Sequence, residues 1–456
     1  MRKRIPEQGE QETANGPRFT RRGLILGAAA GVGAQSALAQ DAWWQNLPGF
    51  GPPAGASARL EKPKRREPPP LEDLRQGKTP WRSDEMLRQV SEAIRHYESI
   101  VQKGGWPMVA KGRTLRLGDD DERVVALRKR LLISGDLSPK HVPYSGSFNF
   151  DDYLEAALKR FQERHGLRTS GRLDIPTRAH INISAAKRLD QLRLNHRRIQ
   201  ALMQGRIEDR YVLVNAPAYQ LEAVEGFEAR RRHRVIVGKP NRQTPEIKAT
   251  IVNLNFFPYW RVPLSVARLD LIPRLQHEPE YLEKEKITAR QGSFDGPVID
   301  TVNLDWSQVD PTRVLFRQEP GPQNALGLVR IDMPNSENVY MHDTPMKPLF
   351  KTRDRAFSAG CVRVQDVFDL VAWIAKFEPG FGEPGRIDDI LAGGQAVNIS
   401  LTRPIPVYFT YITAWAEEGG EAVFRPDIYN RDGAQELAGE DDPEAPAVNV
   451  PQMLAP

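Results

Sequence analysis

Cys361 and His342 are the two residues whose types and spacing could carry chemistry. Cys361 is the only cysteine of the chain, and His342 precedes it by nineteen positions. Only the thiolate form of a cysteine attacks carbonyl carbons, and an ordinary thiol is mostly protonated at neutral pH. An imidazole can accept the thiol proton and later return it to a leaving amine. The pair therefore predicts acyl transfer through a cysteine nucleophile, although a lone cysteine is more often a small buried core residue.

The residues around Cys361 predict the elements that position it. If the run from Gly360 to Arg363 is extended, the side chains of Cys361 and Arg363 lie on one face of it. Downstream, apolar residues at helical spacing begin at Val367, and Asp366 is placed to cap that helix. A helix N-terminus near Cys361 would favour the thiolate.

The motif that contains these residues resembles a known family. His342-Asp343-Thr344, followed by SAGCVRV at residues 358–364, resembles the L,D-transpeptidase (YkuD-type) family, and most of all its large Gram-negative, periplasmic branch. Further matching segments lie, in the family's order, at residues 237–240, 243–245, 260–265 and 320–327, so that the resemblance covers most of residues 210–404. Much of the family has a second histidine where this chain has Ala359; a small residue there is usual in the periplasmic branch.

The resemblance implies roles for individual residues. It makes Cys361 the nucleophile and leaves His342 as the only nearby acid/base. The backbone N–H groups of Gly360 and Cys361 are expected to bind the oxyanion, and Asp343 is expected to orient the site. Arg363 is expected to orient the loop or a carboxylate of the substrate, and a structural salt bridge is an equally open role for it.

The resemblance also implies a reaction on peptidoglycan. Cys361 would attack the carbonyl of the third residue of a donor tetrapeptide stem, release D-Ala and form a thioester. The side-chain amine of a diamino acid on a neighbouring stem would then form a 3→3 cross-link, and carbapenems are expected to be covalent inhibitors. Alternatives with the same thioester are L,D-carboxypeptidase activity, a different linkage, or attachment of a protein to the wall. A non-catalytic peptidoglycan-binding scaffold is the alternative from another class.

A helical module is expected before the catalytic domain. Asp121 opens a segment with apolar residues at helical spacing, a second such segment ends at His165 and Gly166, and Asp174 is placed to cap a third. Residues 112–186 resemble a three-helix peptidoglycan-binding module, which implies wall binding or the positioning of the catalytic domain.

Composition and the N-terminus indicate the compartment. Arg21 and Arg22 precede a short apolar run, and a small-x-small site ends at Ala39, which together predict a twin-arginine (Tat) signal peptide and a periplasmic location. The balance of 64 basic and 59 acidic residues indicates no nucleic-acid partner. The chain has no CxxC or HExxH motif, so that neither a metal nor an organic cofactor is implied.

The expected fold class is α+β and multidomain, with a β-rich YkuD-like catalytic domain that carries a helical insertion and follows a three-helix peptidoglycan-binding domain. In chain order we expect a signal peptide (1–39), a Pro-rich linker (40–82), a helical scaffold segment (83–111), the peptidoglycan-binding-like domain (112–186), a connecting helix (187–208), the catalytic domain (209–404, capping insertion at about 270–303) and a C-terminal extension (405–456, acidic and disordered from about 436).

Overall fold

The computed structural model of the chain describes residues 73–142, 147–383 and 385–433. The predicted signal peptide, the first part of the predicted linker and the acidic tail lie outside these residues. Within them, no helix is long and apolar enough to cross a membrane.

The described chain contains helices and strands in a mixed order, which confirms the α+β class. The helices are α1 (Asp84–Gln102), α2 (Arg123–Ile133), α3 (Asp152–Arg164), α4 (Ile175–Ile181), α5 (Ala185–Leu202), α6 (Leu264–Val266), α7 (Ile272–Leu275), α8 (Tyr281–Lys284), α9 (Val367–Ala375) and α10 (Arg386–Gly393). The strands are β1 (Arg210–Asn215), β2 (Gln220–Glu225), β3 (Glu228–Gly238), β4 (Ile247–Phe256), β5 (Trp260–Arg261), β6 (Ile287–Gln291), β7 (Val314–Gln318), β8 (Val329–Asp332), β9 (Met341–His342), β10 (Ala356–Ser358), β11 (Val362–Val364), β12 (Val397–Thr410), β13 (Ala414–Ala416) and β14 (Ala422–Phe424).

A nine-stranded sheet forms the centre of the catalytic domain, with the strand order β10-β3-β11-β9-β8-β4-β12-β1-β2. Leu254, Ile331, Met341 and Val362 are paired in register on neighbouring strands and are all buried in one apolar core, into which α9 also packs. Side chains alternate along a strand, so the opposite face carries the adjacent paired residues Asn255, Arg330, His342 and Arg363. We call a row of paired side chains across neighbouring strands a rung. The sheet therefore has an apolar rung on one face and an adjacent rung on the other face, and the second rung carries the candidate site.

The three predicted helices of the module are present as α2, α3 and α4. They enclose a separate core whose members include Val124, Leu127, Leu158 and Phe161, all fully buried. The Asp174 carboxylate accepts a hydrogen bond from the N–H of Thr177 at 3.0 Å, which confirms the predicted N-cap of α4. His165 is the C-cap residue of α3, as its position in the sequence indicates.

A third core joins α1 and α5 to the hairpin of β13 and β14. The segment 73–82, which the sequence assigns to the linker, is part of this folded region, because Trp81 is fully buried and its ring meets that of Trp415 edge to face at 5.6 Å. Asp73 forms ion pairs with Arg234 at 2.6 Å and with Arg355 at 2.8 Å. The expectation of a linker up to residue 82 is therefore wrong for these ten residues; their buried aromatic and paired charges hold them against the domain.

The insertion belongs to a larger unit than residues 270–303. A fourth core extends from Trp260 to Leu326 and includes the short helices α6 to α8 together with the three-stranded sheet β5-β7-β6. We call residues 260–326 the cap. The cap core packs against Tyr340 and Ala359, which flank the candidate site.

Replacing the buried indole of the segment 73–82 tests whether that segment is part of the fold. Trp81→Ala should lower the free energy of unfolding by about 3–5 kcal/mol, because it removes a fully buried aromatic side chain. Denaturant titration measures the change. Phe148→Ala, at a side chain that is 55 % exposed, is the control and should stay within about 0.5 kcal/mol of the native protein. Equal stability of the two variants would contradict the assignment of Trp81 to a core.

Candidate active site

A tight turn between β10 and β11 positions Cys361. Gly360 has a φ of +125°, which favours glycine, and the hydroxyl of Thr244 donates to its carbonyl at 2.8 Å. The Ser358 hydroxyl accepts the N–H of Gly360 at 3.1 Å and donates to the carbonyl of Cys361 at 2.6 Å. The N–H of Gly360 is therefore already bonded within the loop. This N–H is not free to bind an oxyanion, although the sequence led us to expect that it would. Gly360 instead allows the backbone to form the turn, through its positive φ.

His342 lies on β9 between two arginines of neighbouring strands. Parallel pairing with β11 places it opposite Arg363, and antiparallel pairing with β8 places it opposite Arg330. Paired residues on adjacent strands project to the same face. Tyr340 and Cys361 directly precede β9 and β11, and the N–H of Val362 donates to the carbonyl of Tyr340 at 3.0 Å to continue the pairing. Cys361 lies close to the same groups, because Tyr340, Arg363 and Arg330 all act on its pKa.

The hydrogen bonds of His342 leave one ring nitrogen available as a base. Its Nδ1 lies 2.5 Å from the backbone oxygen of Asp343, and because a carbonyl can only accept, Nδ1 carries the proton in the neutral ring. Nε2 then holds a lone pair, is buried and makes no hydrogen bond to a described residue. The backbone of Leu326 nevertheless lies close enough to the ring to raise the pKa of His342 against the effect of burial. Burial, followed by the charge of Arg363, lowers the pKa of His342 to about 3, so that the imidazole is neutral at physiological pH.

The thiol of Cys361 is also neutral at rest. Burial raises its pKa to about 11, against the opposing effects of hydrogen bonding from Tyr340 and of the charges of Arg363 and Arg330. Cys361 is 7 % exposed, and no hydrogen bond joins its sulfur to His342. The structure thus brings a protonated thiol and an unprotonated imidazole to one buried face as a neutral pair.

Arg363 is buried without a carboxylate partner. It is 2 % exposed, its Nη1 contacts Met346 Sδ at 3.6 Å, and its Nε has no hydrogen-bond partner in the described chain. The alternative of a structural salt bridge is therefore wrong for the described residues. Its guanidinium acts on Cys361 and His342 through charge.

Asp343 contacts His342 through its backbone oxygen, while its carboxylate makes hydrogen bonds to neighbouring residues. The carboxylate accepts the N–H of Leu328 at 3.0 Å and pairs with Lys347. An orienting role for Asp343 is consistent with this geometry.

The helix after Cys361 begins as expected, but Asp366 does not cap it. Asp366 has a left-handed backbone with a φ of +48°, and its side chain makes no capping hydrogen bond to α9. A side-chain cap requires an extended N-cap residue, so that the predicted cap is wrong.

Sequence reasoning missed Tyr340 and Arg330. Tyr340 is two residues before His342, and the pKa of its hydroxyl is raised well above the ordinary value by burial and by the neighbouring Cys361. The alternation in Val339-Tyr340-Met341-His342 is the signal that could have placed Tyr340 on the face of His342. Arg330 gave no such signal, because only the register of β8 with β9 brings it there. In the part of the chain that the structure describes, no group of three or more His, Cys, Asp or Glu residues could hold a metal ion.

Comparisons with known proteins bear on both parts of the chain. Residues 209–390 match the family described as the L,D-transpeptidase catalytic domain (YkuD), and residues 120–181 match the family described as "Putative peptidoglycan binding domain". A curated relative from Haemophilus influenzae, named "Putative L,D-transpeptidase", is 34 % identical over 230 residues, which is 50 % of this chain and 45 % of the relative. The chain thus matches less than half of that relative's length.

The solved structures that are similar to this chain have lower sequence identity to it. An L,D-transpeptidase from Mycobacterium smegmatis is 12 % identical, with a TM-score of 0.22 over 44 % of this chain and 58 % of its own. An L,D-transpeptidase from Stackebrandtia nassauensis is 14 % identical, with a TM-score of 0.23 over 59 % of this chain and 90 % of its own.

Two family matches, one to a catalytic domain and one to a peptidoglycan-binding domain, identify the two parts of the chain. The chain carries an L,D-transpeptidase (YkuD) catalytic domain at residues 209–390, preceded by a domain of the peptidoglycan-binding type.

The pH dependence of thiol alkylation tests the electrostatics of the site. Iodoacetamide should modify Cys361 at a rate that rises about tenfold per pH unit from pH 7 to pH 10, because a thiol with a pKa of about 11 is a minor thiolate throughout this range. Arg363 lowers that pKa, so Arg363→Gln should raise it and slow alkylation, whereas Arg363→Lys should retain most of the rate. Cys361→Ala is the blank. A plateau near pH 8.5 would contradict the neutral resting pair.

Proposed function

We propose that this chain is a peptidoglycan L,D-transpeptidase that forms 3→3 cross-links through a thioester on Cys361. The observation that carries the proposal is the buried, unpartnered Nε2 of His342 on the same sheet face as the only thiol, within the part of the chain that matches the catalytic family. A base with no other partner can receive the proton that the thiol must lose.

The first half-reaction transfers the acyl group to the enzyme. Nε2 of His342 takes the proton of the Cys361 thiol as the sulfur attacks the carbonyl of the third residue of a donor stem. The N–H of Cys361 makes no hydrogen bond to a described residue and is the oxyanion donor in this proposal. The C–N bond then breaks, His342 gives its proton to the leaving amine of D-Ala, and a thioester remains.

The second half-reaction transfers the acyl group to an acceptor. The side-chain amine of a diamino acid on a neighbouring stem attacks the thioester, His342 takes the amine proton, and the thiolate leaves and is reprotonated. Arg363 and Arg330 favour the thiolate in both halves, since both lower the pKa of Cys361. Neither half-reaction consumes a cofactor.

The cap favours an amine acceptor over water in this proposal. It packs against Tyr340 and Ala359, and both Cys361 and His342 are almost inaccessible to solvent. Exclusion of water protects an acyl-enzyme from hydrolysis. Peptidoglycan is the proposed partner of both domains, with α2 to α4 holding the chain at the wall. Mass spectrometry of products from purified stem peptides distinguishes cross-linking from L,D-carboxypeptidase activity and from attachment of a protein acceptor.

Carbapenem acylation tests the nucleophile and the base. The native protein should gain one drug mass and Cys361→Ala none, because the chain has no other thiol. His342→Ala should react about 10²–10⁴-fold more slowly, since a positioned acid/base contributes that much. Intact-protein mass spectrometry follows the adduct, and thermal unfolding confirms that each variant is folded. An adduct on Cys361→Ala would refute the assignment of Cys361 as the nucleophile, and a full-rate reaction of His342→Ala would refute the assignment of His342 as the base. A native protein that forms no adduct would favour the alternative of a non-catalytic peptidoglycan-binding scaffold.

Export through the Tat pathway is the proposed route to the periplasm. Arg21→Lys combined with Arg22→Lys should leave the precursor in the cytoplasm, because a twin-arginine signal is read by a receptor that distinguishes guanidinium groups from ammonium groups. Immunoblots of periplasmic and cytoplasmic fractions measure the distribution. Arg2→Lys combined with Arg4→Lys is the matched control and should be exported normally. A normal periplasmic yield of the Arg21/Arg22 variant would contradict the Tat prediction and would indicate an ordinary secretory signal instead.

A further inference from the structure

One continuous rung of polar side chains crosses five strands of the central sheet. Arg363 is paired with His342, His342 with Arg330, Arg330 with Asn255 and Asn255 with Asn398. All five side chains therefore project to the face that carries Cys361. The rung is buried at Arg363 and His342, half-buried at Arg330 and Asn255, and exposed at Asn398. It leads from the catalytic pair to solvent.

Hydrogen bonds fix the side-chain orientations in the solvent-exposed half of the rung, from Arg330 to Asn398. Nε of Arg330 donates to Oδ1 of Asn255 at 3.1 Å, and since Arg can only donate, the amide of Asn255 must present its oxygen to it. The amide nitrogen of Asn255 then donates to Oδ1 of Asn398 at 2.5 Å. The side chain of Arg330 is thereby held in place beside the active site, with its guanidinium carbon 5.4 Å from the ring centre of Tyr340.

Arg330 retains donors for a further anion. Nη2 has a single contact with Oδ1 of Asp332 at 3.4 Å, in a pair whose side chains are 29 % and 28 % exposed. Nη1 makes no hydrogen bond or ion pair with a described residue. The charge of Arg330 also reaches Cys361 and Tyr340, whose pKa values it lowers, so that its free donors lie within electrostatic range of the reacting thiol.

We propose that Arg330, held by Asn255, binds a carboxylate of the stem peptide and thereby sets the specificity of the site for anionic stems. This inference rests on the proposed function, because it takes the stem peptide as the substrate. The strands that follow Cys361 and carry Arg330 are two strand spacings apart, about 10 Å across the sheet. Along an extended stem, a carboxylate one or two residues from the scissile carbonyl lies about 3.5 to 7 Å from it. The side chain of Arg330, whose charge already acts on Cys361, covers the rest of that distance. The carboxylate can be the C-terminal one or an internal one, and the two are chemically equivalent for a guanidinium.

Binding of synthetic stems to the full-length Cys361→Ala protein tests the proposal without catalysis. Three tetrapeptides are compared by calorimetry: the free acid, the C-terminal carboxamide, and a form amidated at its internal carboxylates. One of the two amidated forms should bind about 10- to 100-fold more weakly than the free acid, because its amidation removes a charge-assisted hydrogen bond. The carboxylate that is amidated in this weaker form is the one that Arg330 binds. Adding Arg330→Gln should weaken the free acid by a similar factor and abolish the discrimination, and adding Arg330→Lys should restore part of it.

Matched measurements separate the possible failures. Lys248→Gln removes a cation from the same strand as Asn255, at a side chain that is 65 % exposed, and should keep the discrimination. Discrimination that survives Arg330→Gln in a folded protein would overturn the proposal, as would equal binding of all three peptides to the Arg330 protein. Failure of the native protein to form a thioester with a peptide that Cys361→Ala binds selectively would refute the proposed function and leave the role of Arg330 standing.

Discussion

The pairing of β9 with β11 on one side and β8 on the other is the constraint on which the site depends. This register puts Arg363, His342 and Arg330 in one line on one face, with Cys361 and Tyr340 two residues before the paired positions. A shift of β9 by one residue would turn His342 into the apolar core and Met341 towards the thiol, because side chains alternate with a period of two. The apolar rung Leu254, Ile331, Met341 and Val362 opposes such a shift, since all four are fully buried or nearly so in the core below α9. Hydrophobic burial on one face thus determines the geometry of the candidate site on the other.

Burial determines the protonation of the site as strongly as it determines the register. It raises the pKa of Cys361 to about 11 and lowers that of His342 to about 3, so both groups are uncharged before substrate binds. An ion pair at this depth would require the desolvation of both charges. The neutral pair avoids that penalty. The guanidinium of Arg363, which has no carboxylate partner in the described chain, is a fixed charge that lowers the pKa of Cys361 against the effect of burial.

The other parts of the chain act on this site from outside. The apolar core of the cap packs against Tyr340 and Ala359. Asp73 binds Arg355 and Arg234, the latter on β3, which is itself paired with the strand after Cys361. The segment 73–82 thereby supports the sheet next to the catalytic loop, in addition to its own packing through Trp81. A segment that the sequence assigns to a linker thus packs against the domain that it precedes.

Residue types and local periodicity determined much of this protein in advance. The single cysteine, the helical spacing in α2, α3 and α9 and the strand alternation are short-range properties, and they indicate a chain of helices and strands with one candidate thiol. The resemblance of the motif to a known family implied the fold class and the role of that thiol. Tertiary structure alone decided what lies next to what: Arg330 beside His342, the free Nε2, the bonded N–H of Gly360, and Trp81 against Trp415. These contacts join residues that are distant in sequence, and their geometry depends on strand register and on the packing of separate cores, for which local periodicity carries no signal.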